Sequence, residues 1–237
     1  MKSVGIIGGL GPETTSEFYM KLIKLFRENC KYYPRIIIDS ISFPFSIEDE
    51  IIRESKNEHK ILPYLKDSIN RLNKAEVDFI VIPCNTVHIF IDELREISKV
   101  PIVSILDETI KILKLEGYKK IGLLATTKTI DSKLYETPLK ENGIDVIIPE
   151  KVNQDIVAKI ILKILDDTVG EEDKKVLIKI IDNLLKRDSE CIVLGCTDFQ
   201  LILNQSDLKS EVIDTTDVLV SATFNRLLTN MSLEELT

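Results

Sequence analysis

The chain has 237 residues, a length that allows one large domain or two of about 110 to 120 residues. Hydrophobic residues at 44% and charged residues at 30% exclude a disordered chain, and a net charge of −8, without any basic run, argues against nucleic acid and anionic membranes as partners. The apolar stretch Val4 to Leu10 is broken by Gly5, Gly8 and Gly9 before Gly11-Pro12, so neither a membrane span nor a cleavable signal peptide is expected.

Short β-branched runs alternate with amphipathic stretches along the whole chain, the pattern of parallel sheets covered by helices on both faces. In chain order the runs predict strands at 3–7, 35–39, 78–82, 101–105, 120–124, 144–148, 190–194 and 211–214. Between and after them, helices are predicted at 14–29, 55–74, 87–98, 106–116, 131–142, 153–167, 172–187 and 216–229. The expected fold class is α/β.

The second half of the chain is a faint copy of the first. Lys2-Ser3-Val4-Gly5-Ile6-Ile7 matches Lys119-Lys120-Ile121-Gly122-Leu123-Leu124, and each strand runs into a loop of small residues, Gly8-Gly9-Leu10-Gly11 or Ala125-Thr126-Thr127-Lys128-Thr129. Phe79-Ile80-Val81-Ile82-Pro83-Cys84-Asn85-Thr86 matches Cys191-Ile192-Val193-Leu194-Gly195-Cys196-Thr197-Asp198, and Lys99 to Asp107 resembles Lys209 to Asp217. The three matches keep their order, which implies two similar lobes related by a pseudo-twofold axis. Ligands of open α/β sheets gather beyond the carboxyl ends of the strands. If the lobes face one another across that axis, the thiols of Cys84 and Cys196 meet at one cleft.

The chain has four cysteines and two histidines, without a C-x-x-C pair or the spacing of a Cys/His zinc site, so no metal is expected. Free thiols fit a cytoplasmic protein. Cys30 and Cys191 read as packing residues. Cys84 and Cys196 differ from them in occupying the same position of a repeat. Taking a proton from a carbon between a carboxylate and an ammonium, and returning one to the opposite face, needs two acid/base groups. A pair of thiols can supply them, one as thiolate and one protonated. A disulfide between the two is the alternative, which a ligand-sized gap would forbid.

Pro83-Cys84-Asn85-Thr86-Val87-His88 and Gly195-Cys196-Thr197-Asp198, with the opening Gly8-Gly9-Leu10-Gly11-Pro12 and the mid-chain Ala125-Thr126-Thr127-Lys128-Thr129, resemble the aspartate/glutamate racemase family over essentially the whole chain. The resemblance implies a cofactor-independent amino-acid racemase, closest in pattern to aspartate racemase. It further implies two flavodoxin-like lobes, each with a mainly parallel four-stranded sheet, a site between them, and a homodimer. The first lobe would take residues 1–99 plus 209–237 and the second 100–208. Cys84 and Cys196 would be the proton donor and acceptor; Leu10, Asn85, Thr86, Thr127 and Thr197 would contact the substrate, and His88 would either stand behind those contacts or be a capped structural histidine, not a catalyst.

Acidic-substrate members resemble one another in a cationic or polar residue in the loop after the second strand and a Lys early in the helix after the sixth. Here the first region is Ser42-Phe43-Pro44-Phe45-Ser46-Ile47-Glu48-Asp49-Glu50, and the second places Asp155 or Ile156 at the Lys position, with Arg53 and Lys159 as the nearby substitutes. Racemase chemistry is therefore better supported than aspartate as the substrate. The alternatives are another reaction of the superfamily, of the hydantoin racemase or maleate isomerase type, and a non-catalytic two-lobed small-molecule-binding protein. A dinucleotide fingerprint at Gly9-Leu10-Gly11-Pro12-Glu13-Thr14, with Asp39 ending the next strand, lacks its third glycine.

Overall fold

The computed structural model describes residues 2–208 and 210–229; Lys209 and residues 230–237, expected in the first lobe, lie outside the described residues. All eight expected strands are present: β1 (Ser3–Gly8), β2 (Arg35–Ser40), β3 (Phe79–Val81), β4 (Ile102–Val103), β5 (Lys120–Ala125), β6 (Asp145–Ile147), β7 (Cys191–Gly195) and β8 (Val212–Asp214). They form two four-stranded sheets, ordered β2-β1-β3-β4 and β6-β5-β7-β8. Every pairing is parallel. Each sheet thus has the strand order of a flavodoxin-like unit, and the second repeats the first.

The helices are α1 (Pro12–Asn29), α2 (Phe45–Ile52), α3 (Leu62–Lys74), α4 (Ile91–Ile97), α5 (Ile105–Leu115), α6 (Thr127–Asp131), α7 (Glu136–Glu141), α8 (Lys151–Leu165), α9 (Glu171–Leu185) and α10 (Thr215–Leu228). Three expected helices are subdivided. The stretch 55–74 becomes a 3-10 turn, Glu58–Ile61, leading into α3, and α2 precedes it as a separate helix. Ser55 and Asn57, between them, have φ of 52° and 55°, a left-handed conformation that ends a right-handed helix. Likewise Lys133, at φ 53°, separates α6 from α7 within the expected helix 131–142. The expected helix 87–98 opens as a 3-10 turn, Thr86–Phe90, before α4.

Central strands β1 and β5 are almost wholly buried, and the repeated glycine in each sets how near a helix can come. A Cβ on Gly5 would lie 3.0 Å from the Leu72 side chain of α3, and one on Gly122 would lie 3.2 Å from Leu184 Cβ of α9. The glycine of the Val-Gly-Ile/Ile-Gly-Leu repeat is thus a packing device, used twice. Leu65, Ile69 and Leu72 of α3 are buried, as are Leu177, Ile180, Ile181 and Leu184 of α9. Each such side chain contributes roughly 1.5–3 kcal/mol of apolar burial.

The chain divides into two compact units. Among the described residues, the first comprises 2–43, 59–108 and 216–229, and the second 44–58, 109–208 and 210–215. Segment Pro44–Glu58 follows β2 in sequence yet packs with the second unit, Ile52 resting against a core built from β5, β7, α8 and α9. Among the described residues no helix is long and apolar enough to cross a membrane.

Candidate active site

In the first unit β1 ends in a loop that only glycine can form. Gly9 and Gly11 have φ of 81° and 80°, and a Cβ on Gly9 would sit 2.9 Å from the carbonyl oxygen of Ile41. Thr15, in the first turn of α1, clamps the loop. Its Oγ1 accepts from the Gly9 N–H at 3.1 Å and donates to the Gly11 carbonyl at 3.0 Å. Leu10 is half-buried between them.

The neighbouring strand β3 leads through Ile82-Pro83 to Cys84, which is half-buried and whose backbone N–H donates to the Ile82 carbonyl at 2.8 Å. Asn85 and Thr86 follow it, both buried. His88 lies one turn on, buried, and reaches back: its Nδ1 is 2.7 Å from the Cys84 carbonyl oxygen, while its Nε2 faces the Ile105 N–H at 3.3 Å. A carbonyl accepts and an N–H donates, so the ring is neutral with its proton on Nδ1. Burial drives its pKa from 6.5 to about 4, against the opposing pull of the Cys84 carbonyl and Asp107. His88 therefore holds the Cys84 backbone, as a structural histidine should.

The second unit repeats the plan with different chemistry. After β5, Thr126 caps α6 by accepting from the Thr129 N–H at 3.1 Å, and Thr127 is half-buried beside it. The adjacent strand β7 ends one residue before Cys196, which is buried and extended, at φ −132° and ψ 126°. Its thiol donates to Asp198 Oδ2 at 3.2 Å. Thr197 is buried and opens a 3-10 turn, Thr197–Leu201, as Thr86 does after Cys84. Because β1 pairs with β3 and β5 with β7, each small-residue loop and each cysteine lie side by side at the carboxyl edge of their own sheet. Leu10, Cys84, Asn85 and Thr86 thus share one edge, and Thr127, Cys196 and Thr197 the equivalent edge of the other unit.

All four cysteines are thiols. Cys30 and Cys191 are buried away from these edges, and burial pushes Cys191 up to about 12, as suits inert packing residues.

Comparison with known proteins gives this twofold arrangement its class. The family model described as Asp/Glu/Hydantoin racemase matches residues 7–223. The chain belongs to the Asp/Glu/hydantoin racemase family. The broad specificity amino-acid racemase RacX of Bacillus subtilis is 30% identical over 97% of this chain and 100% of its own length. Among solved structures, an aspartate racemase homologue from Pyrococcus horikoshii superposes with a TM-score of 0.80 at 28% identity, covering 96% of this chain and 99% of its own. Picrophilus torridus aspartate racemase gives a TM-score of 0.79 at 27% identity, covering 96% and 94%. The chain is an amino-acid racemase, an isomerase by class.

Three cations of the racemase are held in ion pairs, and a fourth lies exposed. Arg53 donates to Asp49 at 2.6 Å and, through Nη2, to both oxygens of Asp166 at 3.1 Å. Lys128, next to Thr127, pairs with Glu58 at 2.7 Å. Lys159 lies exposed on α8. Asp39, at the end of β2, accepts both arms of Arg71 at 2.8 Å. Partial burial works against its charged form, yet Arg71 holds its carboxyl below the usual range.

Three residues of the racemase's strand ends escaped sequence reasoning. Thr15 and Gln154 act on loops by hydrogen bonds that composition does not betray. Asp198 stood in the quoted motif without a role. The matched motif Cys-Thr-Asp, with its acid two residues past the thiol, was the available signal.

Proposed function

We propose that the racemase needs no cofactor and exchanges protons at the substrate α-carbon through Cys84 and Cys196, with aspartate as its first substrate and uncharged amino acids accepted beside it. The observation that carries this reading is the equivalence of the two thiols: each follows the strand next to a small-residue loop, in the same position of a duplicated unit. The thiolate of one cysteine takes the α-proton and becomes a thiol, while the other thiol gives its proton to the opposite face and becomes a thiolate. One S–H bond forms and one breaks, and the reverse direction uses the same groups with their roles exchanged.

The contact of the Cys196 thiol with Asp198 supports Cys196 as the protonated partner in the resting enzyme. The hydroxyls of Thr86, Thr127 and Thr197 and the amide of Asn85 supply donors for the α-carboxylate, and Leu10 lines the site. Breadth in the side chain is supported by the ion pairs that occupy Arg53 and Lys128 and by the broad specificity of the RacX relative. The same family reading includes a cytoplasmic homodimer, checked by light scattering of the purified protein.

Single enantiomers of aspartate, glutamate and neutral amino acids, incubated in D2O with a chelator and without pyridoxal phosphate, should show both α-deuteration and enantiomer interconversion. Cys84→Ala and Cys196→Ala should each abolish interconversion. A folded enzyme silent across that panel would overturn the reading, and substantial racemisation by either variant would remove the obligatory two-thiol mechanism.

A further inference from the structure

Gln154 stands in the first turn of α8, and the reaction proposed above makes no use of it. Its side chain reaches back across the sequence to the end of β5. Nε2 donates to the Ala125 carbonyl at 3.1 Å and to Thr127 Oγ1 at 3.4 Å. Because a carbonyl oxygen can only accept, the Ala125 contact fixes which end of the amide faces the loop. Oε1 then points the other way, inaccessible to solvent and without a hydrogen-bond partner among the described residues. The residue as a whole is 8% exposed.

A buried acceptor left unmade destabilises the fold, and an apolar side chain of the same length, such as Met, would fill the space without that cost. A residue that breaks a local rule of stability and is nonetheless present is accounted for when it does something else. Here it does something specific to Thr127. A hydroxyl that receives a hydrogen bond from an amide N–H has one lone pair occupied, and its own proton is directed to another acceptor. The neighbouring Thr126 and Thr129 hydroxyls are already engaged with each other at 2.9 Å, so the turn is rigid on its other side.

We propose that Gln154 is a positioning residue: it holds the Ala125-Thr126-Thr127 turn in place and polarises the Thr127 hydroxyl so that its proton is presented to the α-carboxylate of the amino-acid substrate. The inference rests on the reading of Thr127 as a substrate contact. It makes recognition of the common α-carboxylate, rather than of the side chain, the task of this loop.

Gln154→Met removes the N–H donor together with the orphaned carbonyl. Gln154→Glu keeps the size but offers only acceptors, and draws the Thr127 proton toward itself. For Gln154→Met the melting temperature should stay level or rise while KM increases about tenfold with a smaller change in kcat, the pattern of a lost ground-state hydrogen bond. Gln154→Glu should be worse still. In a Thr127→Val background Gln154→Met should add almost nothing, since both act through one hydroxyl. Additive effects, or a loss of activity that merely tracks a fall in melting temperature, would overturn the proposal while leaving the racemase reading intact. Wild-type kinetics for Thr127→Val would instead sink the substrate contact, and the proposal with it. Independently of turnover, amide exchange at Thr127–Thr129 should quicken in Gln154→Met; unchanged protection would also overturn the proposal.

Discussion

His88 makes the stability of the first unit depend on pH in a way that can be worked out in advance. In the folded chain its neutral ring donates from Nδ1 to the Cys84 carbonyl and accepts at Nε2 from the Ile105 N–H. Burial holds its pKa near about 4, from an ordinary 6.5. Between those values the unfolded chain binds a proton that the folded chain refuses, so stability is complete above the unfolded value and falls as the pH is lowered toward the folded one. A separation of about 2.5 units amounts to roughly 3 kcal/mol in all, of which about 2 kcal/mol is lost between pH 7 and pH 5. Below the folded value both states carry the proton and the loss stops. Urea unfolding followed by far-UV circular dichroism suits a chain without tryptophan. Wild type and His88→Gln should differ most at pH 7 and converge toward pH 5. With two histidines in the chain, the His88 imidazole can also be followed directly by NMR and should remain neutral through pH 5.5. Stability curves that run parallel from pH 7 to pH 5, or a ring that titrates near 6.5, would refute the argument.

Two further substitutions test the loop and the cations. Gly9→Ala would force a non-glycine residue to φ 81° and bring its Cβ within 2.9 Å of a backbone oxygen that cannot retreat like a side-chain tip; a loss of about 2–4 kcal/mol in urea unfolding is expected, and a loss below ~1 kcal/mol would show that the loop rearranges freely. Arg53→Met should leave kcat/KM for aspartate within about twofold of wild type, because its guanidinium is already occupied by Asp49 and Asp166 on an exposed surface; a tenfold rise in KM specific to acidic substrates would identify Arg53 as a side-chain ligand after all.

Short β-branched runs located every strand: β1, β5 and β7 are continuously apolar because they are buried, and the more exposed β2 and β6 still carry β-branched residues, Ile36-Ile37-Ile38 and Val146-Ile147. Helix breaks were harder to see. Ser55, Asn57 and Lys133 turn left-handed without a glycine to announce it, and α2 is hidden in a short stretch rich in Glu, Asp and Ile whose burial depends on distant chain, Ile52 packing on the second unit's core. The thiols were legible for a different reason: duplication set Cys84 against Cys196 within an ordered set of three matches. Gln154 was not legible, since its meaning depends on a partner 29 residues away in sequence that periodicity cannot pair.

Duplication preserved where the thiols stand and changed what stands beside them. In the first unit the loop is shaped by backbone, with Gly9 and Gly11 in left-handed conformations and Thr15 stitching N–H to carbonyl from the next helix. In the second it is shaped by side chains, with Thr126 capping its own helix and Gln154 arriving from α8. The thiols diverge in the same way: His88 holds the backbone of Cys84, whereas Asp198 meets the sulfur of Cys196 itself. An amino-acid α-carbon carries a carboxylate that needs donors, an ammonium that needs acceptors, and a side chain that needs room. In the proposed reaction only the hydrogen changes faces, so the acid/base groups can remain matched while everything that recognises the other three substituents must differ. Under the proposed mechanism, the thiols are matched because they would trade one proton, and Thr15, Gln154 and Asp198 are unmatched because the other substituents differ.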